Sequence, residues 1–296
     1  APALIGLGKL GGRELNFSSD VDLLFVYDPP AGESEWEHHE GICRLVQGFK
    51  RHLEARSEDG FGYRVDLDLR PEGRTGALAN SVEAALTYYE TFGADWERQM
   101  LLRGRRIAGP VAPGQAFLEG VRPFVYRRLI DPLAIQGVRG MKMRIESDRR
   151  EAGRDLDLEV KEGPGGIRDV EFFVQALQLF HGGREPGLHT GNVLEALDAL
   201  ARAEILHADV SDELSRNYIW LRQVEHSLQL VEERQTHRFP RDPAEQTALA
   251  RRLGFRDEEA ATARHRLLDD WTRVRSEVRA RFEELVLREE EAGGAA

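Results

Sequence analysis

Asp20 and Asp22 stand two residues apart at the head of the apolar run "DVDLLFVY". Side chains two apart on an extended chain point to one face. The two carboxylates therefore project together, with Val21 turned the other way. Like charges so close repel, and a divalent cation such as Mg²⁺ between them relieves the repulsion. Just upstream, Gly6, Gly8 and Gly11 lie in "GLGKLGGREL" and spell G-x-G-x-x-G. Glycines let backbone N–H groups approach phosphate oxygens, and a helix N-terminus beside them adds to the attraction. Carboxylates that hold metal, next to a turn that holds phosphate, suit a metal-bound triphosphate or phosphodiester.

Spacing separates this arrangement from dinucleotide binding. "ALIGLG" reads as a strand over residues 3–7, "KLGGREL" has room for about two helical turns, and residues 20–27 read as a second strand. A dinucleotide-binding βαβ unit takes about 30 residues and places its acidic residue at the end of the second strand. Here a pair of acids opens that strand. A nicotinamide oxidoreductase is rejected on that ground.

A two-metal site needs a third carboxylate. "YRVDLDLRPEG", Tyr63 to Gly73, supplies candidates. Its alternation predicts a strand with Val65, Leu67 and Leu69 on a buried face and Arg64, Asp66, Asp68 and Arg70 on a charged one, ended by Pro71 and Gly73. A face that mixes Asp with Arg can hold metal and clamp phosphate. Further along, the glycine-rich "KEGPGGIRD" leads into a helix. Lys161 and Arg168 add positive charge there, which suits an anion site in an acidic chain; the alternative is an ordinary helix-entry loop with surface charges. His38 and His39 in "EWEHHEG" read as a solvated helix face rather than as metal ligands.

The elements that must position these residues come in two groups. A chain of 296 residues with a 41% hydrophobic share can build one large domain or two ordinary ones. From about residue 81 it reads as helix after helix. Ser81 is placed to cap one helix and Asp95 the next. A long helical stretch spanning residues 122–151 is notched near Pro132. The helix after the glycine-rich loop carries Val170, Phe173, Val174, Leu177 and Phe180 on one side. Two later stripes are Leu214, Tyr218, Leu221, Leu228, Val231 and Trp271, Val274, Val278, Phe282, Leu285. The expected fold class is α+β: a small α/β catalytic domain over residues 1–108, followed by a mainly α-helical bundle over residues 109–296.

Composition narrows the function. The single cysteine, Cys43, excludes an intrachain disulfide and a Cys-based structural zinc site. It reads as a buried inert thiol in a reducing, cytoplasmic setting. A net charge of −11 argues against a grip on nucleic acid and for a protein or nucleotide partner. No apolar run approaches the roughly 20 residues that span a bilayer, so no membrane is expected. The chain opens without Met and runs almost at once into an apolar strand, which reads as a piece of a longer protein.

"GLGKLGGRELNFSSDVDLLF" and "YRVDLDLRPEG" together resemble the catalytic signatures of the bifunctional glutamine synthetase adenylyltransferase/adenylyl-removing family, within the polymerase-beta-like nucleotidyltransferases. The likeness continues through "DWERQMLLRGRRIAG", "GPGGIRDVEFFVQ" and "HGGREPGLHTGN". That family has two similar halves, one adding AMP to glutamine synthetase and one removing it. "GGIRDVEF" and "GGREPGL" look more like the removing half. The resemblance implies Asp20, Asp22 and Asp66 as catalytic metal ligands for Mg²⁺, with Mn²⁺ as the alternative. It further implies that Gly8, Lys9, Gly11, Gly12, Ser18, Ser19 and Arg70 hold the AMP phosphate or nucleotide. Lys161 and Arg168 are then expected to hold incoming inorganic phosphate. The expected reaction is phosphorolysis of adenylyl-tyrosine, releasing ADP. Where the family shows Arg this chain has Asp68, which leaves open whether Asp66 or Asp68 is the working third ligand. Two other readings stand beside this one: addition of AMP from ATP, and an inactive regulatory module that binds glutamine synthetase or the PII signalling protein.

Overall fold

In a computed structural model of the chain, residues 1–29, 35–58, 60–127, 133–153, 155–231, 236–257 and 262–293 are described. They fall into two compact units: Ala1–Ile130 with His181–Glu195, and Asp131–Phe180 with Ala196–Ala296. The first unit therefore continues past residue 108. The reason lies in the packing that follows the last strand, described below.

In the first unit, β1 (Ala3–Gly6) and β2 (Val21–Tyr27) are joined by the single-turn helix α1 (Gly8–Gly11). They pair antiparallel, with Gly6 opposite Leu23. That direction rules out a βαβ unit, whose strands are parallel. After α2 (Glu35–Glu54) comes a small hairpin of β3 (Arg56–Ser57) and β4 (Gly60–Phe61). β5 (Val65–Asp66) then lies parallel to β2, with Val21 opposite Val65 and Asp22 opposite Asp66. β6 (Asn80–Ser81) also runs parallel to β2, and β7 (Arg105–Ala108) pairs with the free edge of β1.

The run Val21–Tyr27 forms a central strand because it is apolar on both faces. Leu23, Phe25 and Tyr27 join Val65, Leu67 and the α2 residues Ile42 and Val46 in one buried cluster. Each such side chain contributes roughly 1.5–3 kcal/mol on burial. Leu24 and Val26, of opposite parity, are equally buried. α3 (Val82–Thr91), α4 (Asp95–Leu101), α5 (Val111–Gly120) and α6 (Arg122–Val125) follow. α5 packs against β1, β2 and β7 and buries Phe117 completely. A cut at residue 108 would leave that core open. Ser81 caps α3 as expected, its Oγ accepting from Ala84 N at 3.2 Å. Asp95 is not the cap of α4. Ala94 holds that position, and Glu97 reaches back to accept from its N–H at 2.8 Å.

Two local readings change. The strand through Tyr63–Arg70 stops at Asp66 because side chains take over its hydrogen bonding. Asp66 Oδ1 accepts from Asp68 N at 2.7 Å, and the Arg70 guanidinium donates to the carbonyls of Leu67, Arg74 and Gly76. Asp68 is thereby placed in a turn, not on the strand face beside Asp66. His38 and His39 are not a solvated face either. Both rings pack against Tyr27, and His39 bridges the Tyr27 hydroxyl at 2.8 Å and the half-buried Cys43 Sγ at 3.6 Å.

The second unit is helical: α7 (Leu133–Glu151), α8 (Ile167–His181), α9 (Val193–Arg202), α10 (Ala208–Gln229), α11 (Pro243–Arg252) and α12 (Ala263–Gly293). Pro132 lies outside the described residues. Of the two expected stripes, Leu214, Tyr218, Leu221 and Leu228 are buried on α10, and Trp271, Val274, Val278 and Phe282 on α12. Val231 lies past the end of α10 and is exposed. α8 is buried nearly all round, polar Asp169, Glu171, Gln175 and Gln178 included, rather than on one side. Among the described residues no helix is long and apolar enough to cross a membrane.

Candidate active site

The carboxylates of Asp22 and Asp66 are brought together by strand register. In a parallel pair, residues opposite one another project to the same face, so these two side chains are neighbours. The glycine turn presses on one of them. Gly8 has φ +50°, and a Cβ there would fall 2.1 Å from Asp22 Oδ2. Only a glycine can lie against that oxygen in that conformation. Leu7 N donates to Asp22 O at 2.9 Å, so the start of the turn is also fixed to β2 through the backbone.

The remaining turn glycines have another reason to be glycine. A Cβ on Gly11 would fall 1.9 Å from the Arg103 carbonyl, and one on Gly12 would fall 2.6 Å from the Gly191 carbonyl. They admit the chain's own backbone. Lys9, Ser18 and Ser19 are half-buried around the turn and the approach to β2. Arg70, expected to hold phosphate, is buried and spends three donors on backbone carbonyls. It fixes the turn after Asp66. Asp68 pairs with the exposed Arg74 at 2.6 Å.

Asp20 is engaged differently. Its Oδ1 accepts from Arg64 Nε at 2.5 Å, while Arg64 Nη2 donates to Ser18 O. Among the described residues no three His, Cys, Asp or Glu side chains are grouped so as to hold a metal ion. The donor types still suit a hard divalent cation: carboxylates in register on neighbouring strands, with Gly8 shaped to one of them. Asp22 and Asp66 carry the oxygen ligands such an ion takes, while the Asp20 carboxylate is bonded to Arg64.

Several positioning residues were not singled out from sequence. Arg105 donates to the carbonyls of Leu10 and Gly11 at 2.8 and 3.0 Å and so closes α1. Asn192 donates to Gly12 O at 3.0 Å while its Oδ1 caps α9. Glu14, buried against Arg103 at 3.5 Å, accepts from Val193 N. Arg105 and Asn192 lie inside the motifs "LLRGRRIAG" and "GLHTGN", which was the available signal.

Lys161 and Arg168 belong to the second unit. Their loop is tied to α12. A Cβ on Gly165, at φ +70°, would fall 2.0 Å from Arg275 O, and Arg275 Nε donates to Pro164 O at 2.9 Å. The Arg168 guanidinium lies 3.8 Å from Glu162 and over the Phe172 ring. Burial alone would raise the Glu162 carboxyl. The Arg149 hydrogen bond and charge, with Arg168 and Lys161, outweigh it and hold the group below the usual range. Glu162 thus stays anionic and offsets part of the loop's positive charge.

A glycine turn between antiparallel strands, aspartates in register on the next parallel pair, and a helical region after the sheet are the arrangement expected of a nucleotidyltransferase fold. Comparison with known proteins gives the same class. Residues 2–120 match the glutamate-ammonia ligase adenylyltransferase family, and residues 139–286 match the GlnD PII-uridylyltransferase family. The chain is 44% identical over 258 residues to the bifunctional glutamine synthetase adenylyltransferase/adenylyl-removing enzyme of Stenotrophomonas maltophilia (strain K279a), covering 86% of this chain and 27% of that enzyme. It is 43% identical over 287 residues to the enzyme of that name from Xanthomonas axonopodis pv. citri (strain 306), covering 96% and 30%. Over most of its own length the chain is thus similar to the adenylyltransferase/adenylyl-removing enzymes, and it spans under a third of the length of these relatives.

Proposed function

We propose that the chain removes AMP from adenylylated glutamine synthetase by phosphorolysis, converting adenylyl-tyrosine and phosphate to tyrosine and ADP. The observation that carries a nucleotidyl-transfer role is the in-register pair Asp22 and Asp66 beside Gly8. The removing direction is supported by the sequence likeness of "GGIRDVEF" and "GGREPGL" to that half of the family.

Asp22 and Asp66 would hold Mg²⁺, with Asp20 as the third ligand. When bound, the ion would neutralise negative charge at the attacked phosphorus and on the leaving tyrosinate. Lys9, Ser18, Ser19 and the Gly8 turn would orient the AMP phosphate. Lys161 and Arg168 would supply cations for the incoming phosphate. No histidine is needed as general base, because about half of inorganic phosphate is already dianionic near neutral pH and attacks without first losing a proton. The protein's work is alignment and charge neutralisation. Glutamine synthetase is then the protein substrate. The match of residues 139–286 to the uridylyltransferase family supports PII as a regulatory partner.

Adenylyl addition would use the same carboxylates, so one paired assay decides. Adenylylated glutamine synthetase with Mg²⁺ and phosphate should yield ADP, and unmodified synthetase with ATP should yield no pyrophosphate. Pyrophosphate without ADP would overturn the proposed direction.

A further inference from the structure

We propose that Arg64 is a place-holder cation: its guanidinium occupies Asp20 before the metal does, and passes to phosphate oxygens when the metal loads. This role presupposes the metal-binding reading of Asp20, Asp22 and Asp66.

Asp20 and Arg64 each directly precede the first paired position of the two strands, Val21 opposite Val65. Val21 N donates to Arg64 O at 2.9 Å, which fixes the Arg64 backbone beside the end of β2. From there the guanidinium reaches Asp20 Oδ1 through Nε at 2.5 Å and Ser18 O through Nη2. It thus spans the carboxylate expected to take metal and the serine segment expected to hold phosphate. Both side chains are about two-fifths exposed, at 38% and 42%. Ion pairs this wet are weak and easily exchanged. A divalent cation competes for the Asp20 oxygen with twice the charge. Once displaced, the planar fork of Arg64 suits two phosphate oxygens at once.

The test is direct Mn²⁺ binding, by titration calorimetry or by the loss of free Mn²⁺ signal in electron spin resonance, without substrate. Arg64→Met removes the competing charge and should bind Mn²⁺ at least about threefold more tightly than wild type. Arg64→Gln keeps a hydrogen-bond donor but no charge and should shift the same way, which guards against one variant failing to fold. Turnover should nevertheless fall in both, because the phosphate donor is gone. A merely structural Arg64 would leave metal affinity unchanged or weaken it, and either result overturns the proposal. Asp22→Asn serves as the control. If it binds Mn²⁺ as wild type does, the metal site itself is wrong and the place-holder role falls with it.

Discussion

Gly8 and Asp22 are closely fitted to each other. Gly8→Ala must place a methyl 2.1 Å from the Asp22 carboxylate oxygen while holding a left-handed backbone. The backbone term alone costs roughly 1–2 kcal/mol. The variant should melt earlier and lose at least about tenfold in turnover, equivalent to about 1.4 kcal/mol of barrier. Full activity would show that this contact does not set the carboxylate. Asp22→Asn keeps the shape and removes a charge. It should cut turnover by at least about a hundredfold, roughly 3 kcal/mol of barrier, with folding intact by circular dichroism. Asp68 should be dispensable, because it sits in a turn paired with an exposed Arg74, whereas Asp66→Ala should abolish metal binding. A spacing of two marked Asp20 and Asp22 in the sequence, but the pairing of Asp22 with Asp66 across neighbouring strands was not readable from it. Nor was the Asp20–Arg64 bond, since it depends on which strands become neighbours.

At the scale of elements, two glycine-rich turns looked alike in sequence and are built for different neighbours. The first lies against a carboxylate; the second is filled by the chain's own Arg275. Helical stripes on α10 and α12 were readable because polar residues marked their outer faces. Full burial of α8 was not, because its polar residues are buried too. Asp169 on α8 is fully buried, accepts from Gly165 N at 2.8 Å, and meets Lys142 of α7 at 2.6 Å. Lys142→Met leaves that carboxylate without its closest cation. Breaking such a pair costs about 3–5 kcal/mol, to be read from urea unfolding. A loss below 1 kcal/mol would mean that Arg279, 3.6 Å from Asp169, suffices. The segment His181–Glu195 carries a pH signature. Burial lowers His181 and His189 below the usual range, and His189 stacks on Tyr126 at 3.8 Å. Above the ordinary histidine value of about 6.5, folded and unfolded chains are both neutral there, so stability is level. As pH falls through that value the unfolded chain takes the proton first, and stability drops. The loss of melting temperature from pH 7.5 to 5.5 should shrink in His189→Phe.

For the molecule as a whole, the fold class was readable and the division between units was not. Pattern changes from strand to helix near residue 81, but compactness depends on α5 returning to the sheet and on a later segment, His181–Glu195, joining the first unit. No periodicity records a return from so far along the chain. On the proposed function, so negative a chain needs local cations such as Lys9 and Arg64 to bring phosphate near its carboxylates. The central claim is that phosphate itself attacks the adenylyl group at the Asp22–Asp66 site. It is tested most directly by supplying ³²P-labelled inorganic phosphate with adenylylated glutamine synthetase and Mg²⁺. Label should appear in the β-phosphate of ADP in proportion to tyrosine released, and Asp22→Asn should form almost none. Release of unlabelled AMP, or labelled ADP at the same rate from Asp22→Asn, would contradict it.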